Sequence, residues 1–263
     1  MNQLRILLPV VILALLCSCE VFQEEEEVVC LPVNMTATIV EGGEASKVIA
    51  DFHYLPDSDL LDHITWSNHQ THYFEYETTG QLSVVRQLKV KEKVQEETWF
   101  EYEGTLVTRA VLVKKNLDYT FLEPVDSIYV GYIVFEYEGK NIIKETRYDV
   151  TGETGAEFMV RMVDYEYDTE GNILSSTALY PERGGEVETV EMTYDASKHP
   201  FSGLSYYFTG ESFVNNLLSR SSEIDNLDYQ YELRLNSFGY PETVYETLGS
   251  SNSRIIRYSY LCL

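Results

Sequence analysis

The sequence predicts an all-β fold, a single large antiparallel meander of about 12–15 strands curled into a soluble barrel or half-barrel. Three observations predict it. A short unit, aromatic-x-Tyr-acid, recurs along the chain. Turn chemistry follows the first four copies. Helical periodicity is nearly absent.

The recurring units are Tyr73-Phe74-Glu75-Tyr76-Glu77, Trp99-Phe100-Glu101-Tyr102-Glu103, Val134-Phe135-Glu136-Tyr137-Glu138, Asp164-Tyr165-Glu166-Tyr167-Asp168, Glu191-Met192-Thr193-Tyr194-Asp195, Asp228-Tyr229-Gln230-Tyr231-Glu232 and Arg257-Tyr258-Ser259-Tyr260. Their shared Tyr stands at 76, 102, 137, 167, 194, 231 and 258, so the spacing varies between 26 and 37 residues. Alternation with period two puts Phe and Tyr on one face and Glu and Asp on the other. That pattern marks half-buried antiparallel strands, not the uniformly apolar strands of a parallel sheet. Thr78-Thr79-Gly80, Gly104, Gly139-Lys140-Asn141 and Thr169-Glu170-Gly171-Asn172 supply the positive φ of hairpin turns. Return strands follow over 81–90, 106–113, 142–148 and 173–180. Nearer the N-terminus, Met35 to Val40 and Lys47 to Tyr54 flank Glu41-Gly42-Gly43-Glu44 as a further hairpin. One short helix is expected near 212–218, where Phe213, Val214, Leu217 and Leu218 have helical spacing.

The chain has 263 residues and a formal net charge of -24, from 43 Asp+Glu against 19 Lys+Arg. A field of this sign repels phosphate, which excludes nucleic acid and an anionic membrane surface as natural partners. Disorder is excluded too, since 44% of the residues are hydrophobic and 13% aromatic. No domain boundary is visible inside 30–263, which reads as a single barrel-like domain.

The N-terminus reads as an address. Arg5 precedes the apolar run Ile6 to Leu16, which is too short to span a bilayer as a helix. Residues 1–18 are expected to be a signal peptide. Leu16-Cys17-Ser18-Cys19 resembles a bacterial lipobox, with Ser18 in the small position and Cys19 as the lipid acceptor. Two or three acyl chains, such as palmitate, on Cys19 would anchor the protein stably, so membrane contact is expected through the lipid alone. Residues 19–29 then form a lipidated acidic tether. Its Glu20 and Glu24 to Glu27 resemble the surface-export signal of Bacteroidota lipoproteins; a solvated, self-repelling spacer reads equally well. The location expected is the cell envelope, as an outer-membrane lipoprotein.

Of the four cysteines, Cys17 leaves with the signal and Cys19 carries lipid. Cys30 and Cys262 remain, one at each end of the domain, in a compartment that permits disulfides. A bridge would close almost the whole chain, at most about 5 kcal/mol by loop entropy. Two buried thiols are the other reading.

The segment Tyr194-Asp195-Ala196-Ser197-Lys198-His199-Pro200-Phe201, followed by Asn215-Asn216-Leu217, resembles an uncharacterised family of Bacteroidota lipoproteins. The resemblance covers 30–263 and implies a porin-like β-barrel fold. The family usually has Asn where His199 stands. The Tyr units also resemble Rhs/YD repeats. Neither resemblance supplies catalytic residues. A lipid-facing wall is not expected, because Glu75, Glu101, Glu136, Glu166 and Glu232 would have to enter the bilayer. A circular barrel of about fourteen strands has a radius of about 14 Å. Tyr rings alone would not fill it, so it is either flattened or keeps a wet cavity.

Catalytic and metal motifs are scarce. G-x-S-x-G, P-loop, H-E-x-x-H and C-x-x-C are all missing. Asp62, His63, His69 and His72 lie close in sequence, but His69 and His72 would face opposite sides of one strand. Asp57-Ser58-Asp59 with Asp62 lacks the Gly of a calcium loop. No metal site, catalytic residue or cofactor is therefore expected. Asp126-Ser127-Ile128 resembles the short O-glycosylation signal of Bacteroidota. The function expected is a non-enzymatic, lipid-anchored envelope protein that binds a ligand, with glycans a candidate because aromatic rings stack on sugars. The alternatives are a structural or accessory subunit of an outer-membrane complex, and a carboxylate-dependent glycoside hydrolase.

Overall fold

A computed structural model describes residues 28–117, 124–151, 154–201, 214–222, 227–248 and 252–263. The expected signal peptide, Cys19 and most of the expected tether lie outside the described residues.

Sixteen strands close into one barrel in which every neighbour in sequence is a neighbour in space. In order they are β1 (Cys30–Glu41), β2 (Glu44–Tyr54), β3 (Leu61–Trp66), β4 (Gln70–Tyr76), β5 (Leu82–Lys89), β6 (Val94–Glu103), β7 (Leu106–Leu117) and β8 (Pro124–Glu138). The circuit continues with β9 (Asn141–Val150), β10 (Glu157–Tyr167), β11 (Ile173–Tyr180), β12 (Glu186–Lys198), β13 (Asn215–Ser222), β14 (Leu227–Leu235), β15 (Pro241–Leu248) and β16 (Asn252–Cys262). All pairings are antiparallel, and β1 closes the circuit by pairing with both β2 and β16. Closure leaves no strand edge open.

The count exceeds the expected range by one strand. The strands not named from the pattern are β3, β13 and β15; Leu61-Asp62-His63-Ile64-Thr65-Trp66 of β3, for one, lacks the aromatic-x-Tyr unit. The expected helix near 212–218 is corrected. Residues 212–213 lie outside the described residues, and Asn215–Ser222 is strand β13. Side chains on the β10–β11 connection and on β12 hold its start extended. Asn172 Oδ1 accepts from the Asn215 amide at 2.9 Å, and Asp195 Oδ1 accepts from the Asn216 amide at 3.1 Å. Sheet pairing and these bonds outweigh a weak local periodicity.

The repeated Tyr has a structural task. At Tyr54, Tyr76, Tyr102, Tyr137, Tyr167 and Tyr194 the ladder register shifts by a bulge. A bulge interrupts the ladder hydrogen bonds and calls for a donor to the main chain. At the bulges of Tyr76, Tyr102, Tyr137 and Tyr167 the next unit supplies it. Tyr102 Oη donates to Leu82 O at 2.7 Å, Tyr137 to Val107 O at 2.8 Å, Tyr167 to Ile142 O at 2.8 Å and Tyr194 to Ile173 O at 2.8 Å. Each accepting residue is the one opposite the preceding unit's Tyr. These contacts form a girdle at the end of the barrel where Cys30 and Cys262 meet, called the disulfide end below. The opposite end is the far mouth.

The exposed faces of the same strands carry Glu75, Glu101, Glu136 and Glu166. Inside, two apolar clusters sit on different walls. One gathers Phe52, Leu61, Ile64, Phe74 and Leu82 on β2–β5. The other gathers Val163, Tyr165, Ile173, Val190 and Met192 on β10–β12. The segment after β12 helps to fill the space between walls: the Phe201 ring lies 5.2 Å from Phe52 and 6.1 Å from Tyr258. The lumen is thus neither collapsed nor empty, but partly occupied by its own chain.

Candidate functional site

Two adjoining spaces lie beside β12–β16 and β1. An outer cavity of about 450 Å³ opens at the far mouth. Its walls are the ends of β1, β12, β13, β14, β15 and β16, which contribute Glu41, Glu188, Ser222, Tyr229, Leu248 and Asn252. Below it lies an inner chamber of about 410 Å³. Met35, Phe52, Trp66, Phe201, Val244 and Ile256 make that chamber mainly apolar. Arg220, Tyr231, Glu246 and Arg254 line both spaces. The two compartments therefore share one throat, and both volumes fall in the range of small-molecule sites, about 300–1,000 Å³.

Strand register builds the throat. Glu246 on β15 lies directly opposite Arg254 on β16. Arg254 Nη2 donates to Glu246 Oε2 at 2.5 Å, with Glu246 only 8% exposed. The Tyr231 phenol is pushed up by burial and by the nearby Glu246, so it stays protonated and able to donate. Glu188 is held by Ser222 Oγ at 3.1 Å and by Tyr180 Oη at 3.3 Å.

Two buried polar atoms on these walls have no hydrogen-bond partner among the described residues, Asn216 Oδ1 and Arg254 Nε. Asn216 is 2% exposed and lines the inner chamber. Its Nδ2 is committed to Asp195 Oδ2 at 3.3 Å and Ser197 O at 3.3 Å, which fixes the amide and leaves the oxygen unmatched. A buried acceptor and a buried donor without partners are costly unless something else meets them.

A second space of about 540 Å³ lies at the disulfide end, lined by Tyr76, Tyr102, Tyr137 and Tyr167 of the girdle. The hydroxyls of the last three are spent on main-chain carbonyls, so this space offers rings more than hydrogen bonds.

The residues singled out in the sequence are placed as follows. Cys30 and Cys262 are opposite each other in the β1–β16 ladder, with their sulfurs 2.02 Å apart. The histidines do not converge. His63 Nδ1 donates to Asp62 Oδ2 at 2.7 Å, and its ring stacks on His53 at 4.1 Å. His69 sits in a turn with φ 68°, and His72 accepts at Nδ1 from Trp66 Nε1 at 2.9 Å. Among the described residues no group of three or more His, Cys, Asp or Glu is arranged to hold a metal, Asp57, Asp59 and Asp62 included. Ser127 is exposed on β8. The repeat carboxylates Glu75, Glu101, Glu136 and Glu166 stand on the outer wall and do not address the lumen.

Tyr231 stands in a repeated unit but is not a girdle residue. The bulge of its strand falls at Leu235, so Leu235 takes the girdle position and Tyr229 and Tyr231 are displaced toward the far mouth. Tyr260, not Tyr258, is the girdle residue of β16, donating to Pro241 O at 2.7 Å. Phe52-His53-Tyr54 has the same aromatic-x-Tyr spacing without the acid, and it was legible as a further unit. The throat residues Arg220, Glu246 and Arg254 carried no sequence signal.

No family model matches the chain, and no curated protein matches it. A porin-like protein from Bacteroides vulgatus superposes with a TM-score of 0.52 at 11% identity, over 86% of this chain and 97% of that one. A porin-like protein from Bacteroides uniformis gives 0.36 at 11% identity, over 88% and 96%. The TcdB2-TccC3-TEV structure gives 0.28 at 12% identity, over 81% and 13%. The first of these likenesses defines the class of protein by fold: a closed, porin-like antiparallel β-barrel. The Rhs-like similarity is too low to carry an argument.

Proposed function

We propose that this chain is a lipid-anchored binding protein of the cell envelope that admits a small ligand into its barrel through the far mouth. The observation that carries the reading is the two-compartment cavity with its common throat and its two unmatched polar atoms. The porin-like likeness supports an envelope setting. The outer wall supports a barrel that stands in water, since exposed carboxylates on alternate strands would be prohibitive in lipid. Charge makes nucleic acid an unsuitable partner.

Anchoring at Cys19 would also orient the barrel. Cys30 lies at the disulfide end, and the eleven residues from Cys19 to Cys30 span at most about 40 Å. The disulfide end would face the membrane, and the far mouth would point away from it toward solutes. The ligand reading is tested by screening the barrel, residues 28–263, against a glycan array and a panel of small solutes, alongside Val244→Phe, which fills the inner chamber. Ligands that bind the natural barrel and not the filled one support the reading. If nothing in the panel distinguishes the two proteins, the reading fails.

A second reading, an accessory subunit of an envelope complex, is favoured by the outer wall of β4–β9. Tyr73 and Trp99 are each 41% exposed there, and Tyr132 and Tyr148 stack at 5.0 Å. Loss of co-purifying envelope proteins on changing Tyr73 and Trp99 to Ser would support it; unchanged co-purification would remove it. A hydrolase is less well served. The cavity carboxylates Glu246 and Glu188 are held by Arg254 and by hydroxyls, which suits binding.

A further inference from the structure

Resting on the lumen-binding reading, we infer that the ligand is a neutral amphiphile: a hydroxyl-rich, sugar-like head joined to an apolar tail. The outer cavity sets the head. Its walls carry three carboxylates, Glu41, Glu188 and Glu246, against two guanidiniums, Arg220 and Arg254. That lining has no excess positive charge to hold an anion, and the chain as a whole is at -24, which repels one. Closely spaced acceptors and donors of both signs match hydroxyl groups, each of which gives and takes a hydrogen bond. The Tyr229 and Tyr231 rings add flat apolar faces beside them, as a sugar ring requires.

The inner chamber sets the tail. Met35, Phe52, Trp66, Phe201, Val244 and Ile256 offer apolar surface that a free sugar would leave unused. The unmatched atoms mark the approach to that chamber. Arg254 Nε is a donor on the shared throat, and Asn216 Oδ1 is an acceptor on the chamber wall. A head group seated at the throat, with one acceptor and one donor near its junction with the tail, satisfies both. Neither a bare hydrocarbon nor a free sugar matches the whole space.

The molecule carries its own reporter. It has two Trp residues. Trp66 lines the inner chamber, whereas Trp99 lies on the outer wall. In Trp99→Phe the emission comes from Trp66 alone, and Glu97 keeps Arg86, Lys115 and Gln95 as donors. The experiment titrates this barrel, residues 28–263, with n-octyl glucoside below its micelle concentration, and with glucose and octanol separately. The closed sheet and both terminal cysteines lie within that span, so it folds as a unit. Octyl glucoside should shift Trp66 emission saturably. Val244→Phe should weaken it about tenfold or more, and Tyr229→Ala, which trims the head site, about fivefold. Unchanged circular dichroism and melting certify that the variants are folded.

Glucose binding as tightly as octyl glucoside, without a Trp66 shift, overturns the tail. Octanol binding as tightly overturns the head. No binding of octyl glucoside overturns the inference altogether. In that case a different panel compound lost in Val244→Phe leaves the lumen reading standing, whereas no such compound removes both.

Discussion

The Tyr54 hydroxyl donates to the Pro32 carbonyl at 2.7 Å, and Pro32 is the residue opposite Tyr260 in the β1–β16 ladder. The first Tyr of the circuit thus reads the last one across the seam where the chain closes. The same relation repeats between units around the girdle. Tyr137→Phe and Tyr167→Phe should each lower stability by about 1 kcal/mol, the net value of one such bond. The two hydroxyls serve different carbonyls, so the double variant should lose nearly the sum. For a domain of this size that is a melting shift of about 2–4 °C per substitution, read by calorimetry.

The seam is also covalent. Non-reducing mass analysis should find the peptides of Cys30 and Cys262 linked, and alkylation should label neither. Changing both to Ser should cost up to about 5 kcal/mol, because the bridge spans 232 residues of sequence. Two freely alkylated thiols in the native protein would refute the bridge.

Gly131 is a point where only hydrogen fits. A Cβ there would fall on the Tyr148 carbonyl oxygen of β9 and against the Asp149 main chain, both backbone and unable to step aside. Gly131→Ala should destabilise the β8–β9 pairing by about 3 kcal/mol or more. Denaturant unfolding checks this, and a loss under 0.5 kcal/mol would contradict it.

Acid should loosen the segment after β12 that brings Phe201 into the lumen. His199 Nδ1 accepts from the Phe201 amide at 3.2 Å, so the imidazole works as a neutral ring, and burial pushes its pKa down to about 4. His72 is likewise pushed down to about 4, by burial and then by Lys89. The folded values lie below the unfolded value of about 6.5. The unfolded chain therefore binds more protons between those limits, and stability falls as pH drops from about 6.5 toward 4. Each histidine contributes at most roughly 3 kcal/mol to that loss. His199→Asn keeps an acceptor in place but cannot titrate, so its stability should depend less on pH in this window. Parallel pH profiles would contradict the assignment.

Cys19→Ala should release the protein from membranes, as judged by fractionation. Persistent membrane association would contradict anchoring through lipid alone.

Much of this fold is legible in the residues, and the reasons for the exceptions are physical. Alternation of Tyr and Glu reports which face of a strand is wet, so the barrel wall follows directly. The same alternation is silent on register. Tyr231 and Tyr76 look alike in sequence, yet one lies at a throat and the other in the girdle, because the β14–β15 bulge falls at Leu235. The site is harder still. Glu246 and Arg254 become partners only once β15 and β16 pair, and Asn216 joins them from β13, across the strand between. Asn215-Asn216-Leu217 was conspicuous as a motif, but its unmatched oxygen depends on how Asp195 and Ser197 hold the amide. Phe201 entering the lumen was likewise invisible, since a connection carries no periodicity to read.

The girdle has a consequence for size. The hydroxyls of Tyr54, Tyr102, Tyr137, Tyr167 and Tyr194 are each handed to the carbonyl of the residue opposite the preceding girdle Tyr, so the module is the strand pair and not the strand. Inserting one strand would bring the next Tyr to the wrong end of the barrel and leave a bulge unserved. Inserting two would extend the relay intact. The circumference can therefore change only in steps of roughly 12 Å. Related barrels could widen or narrow their lumen by duplicating or deleting whole hairpins, without redesigning the seam that closes them.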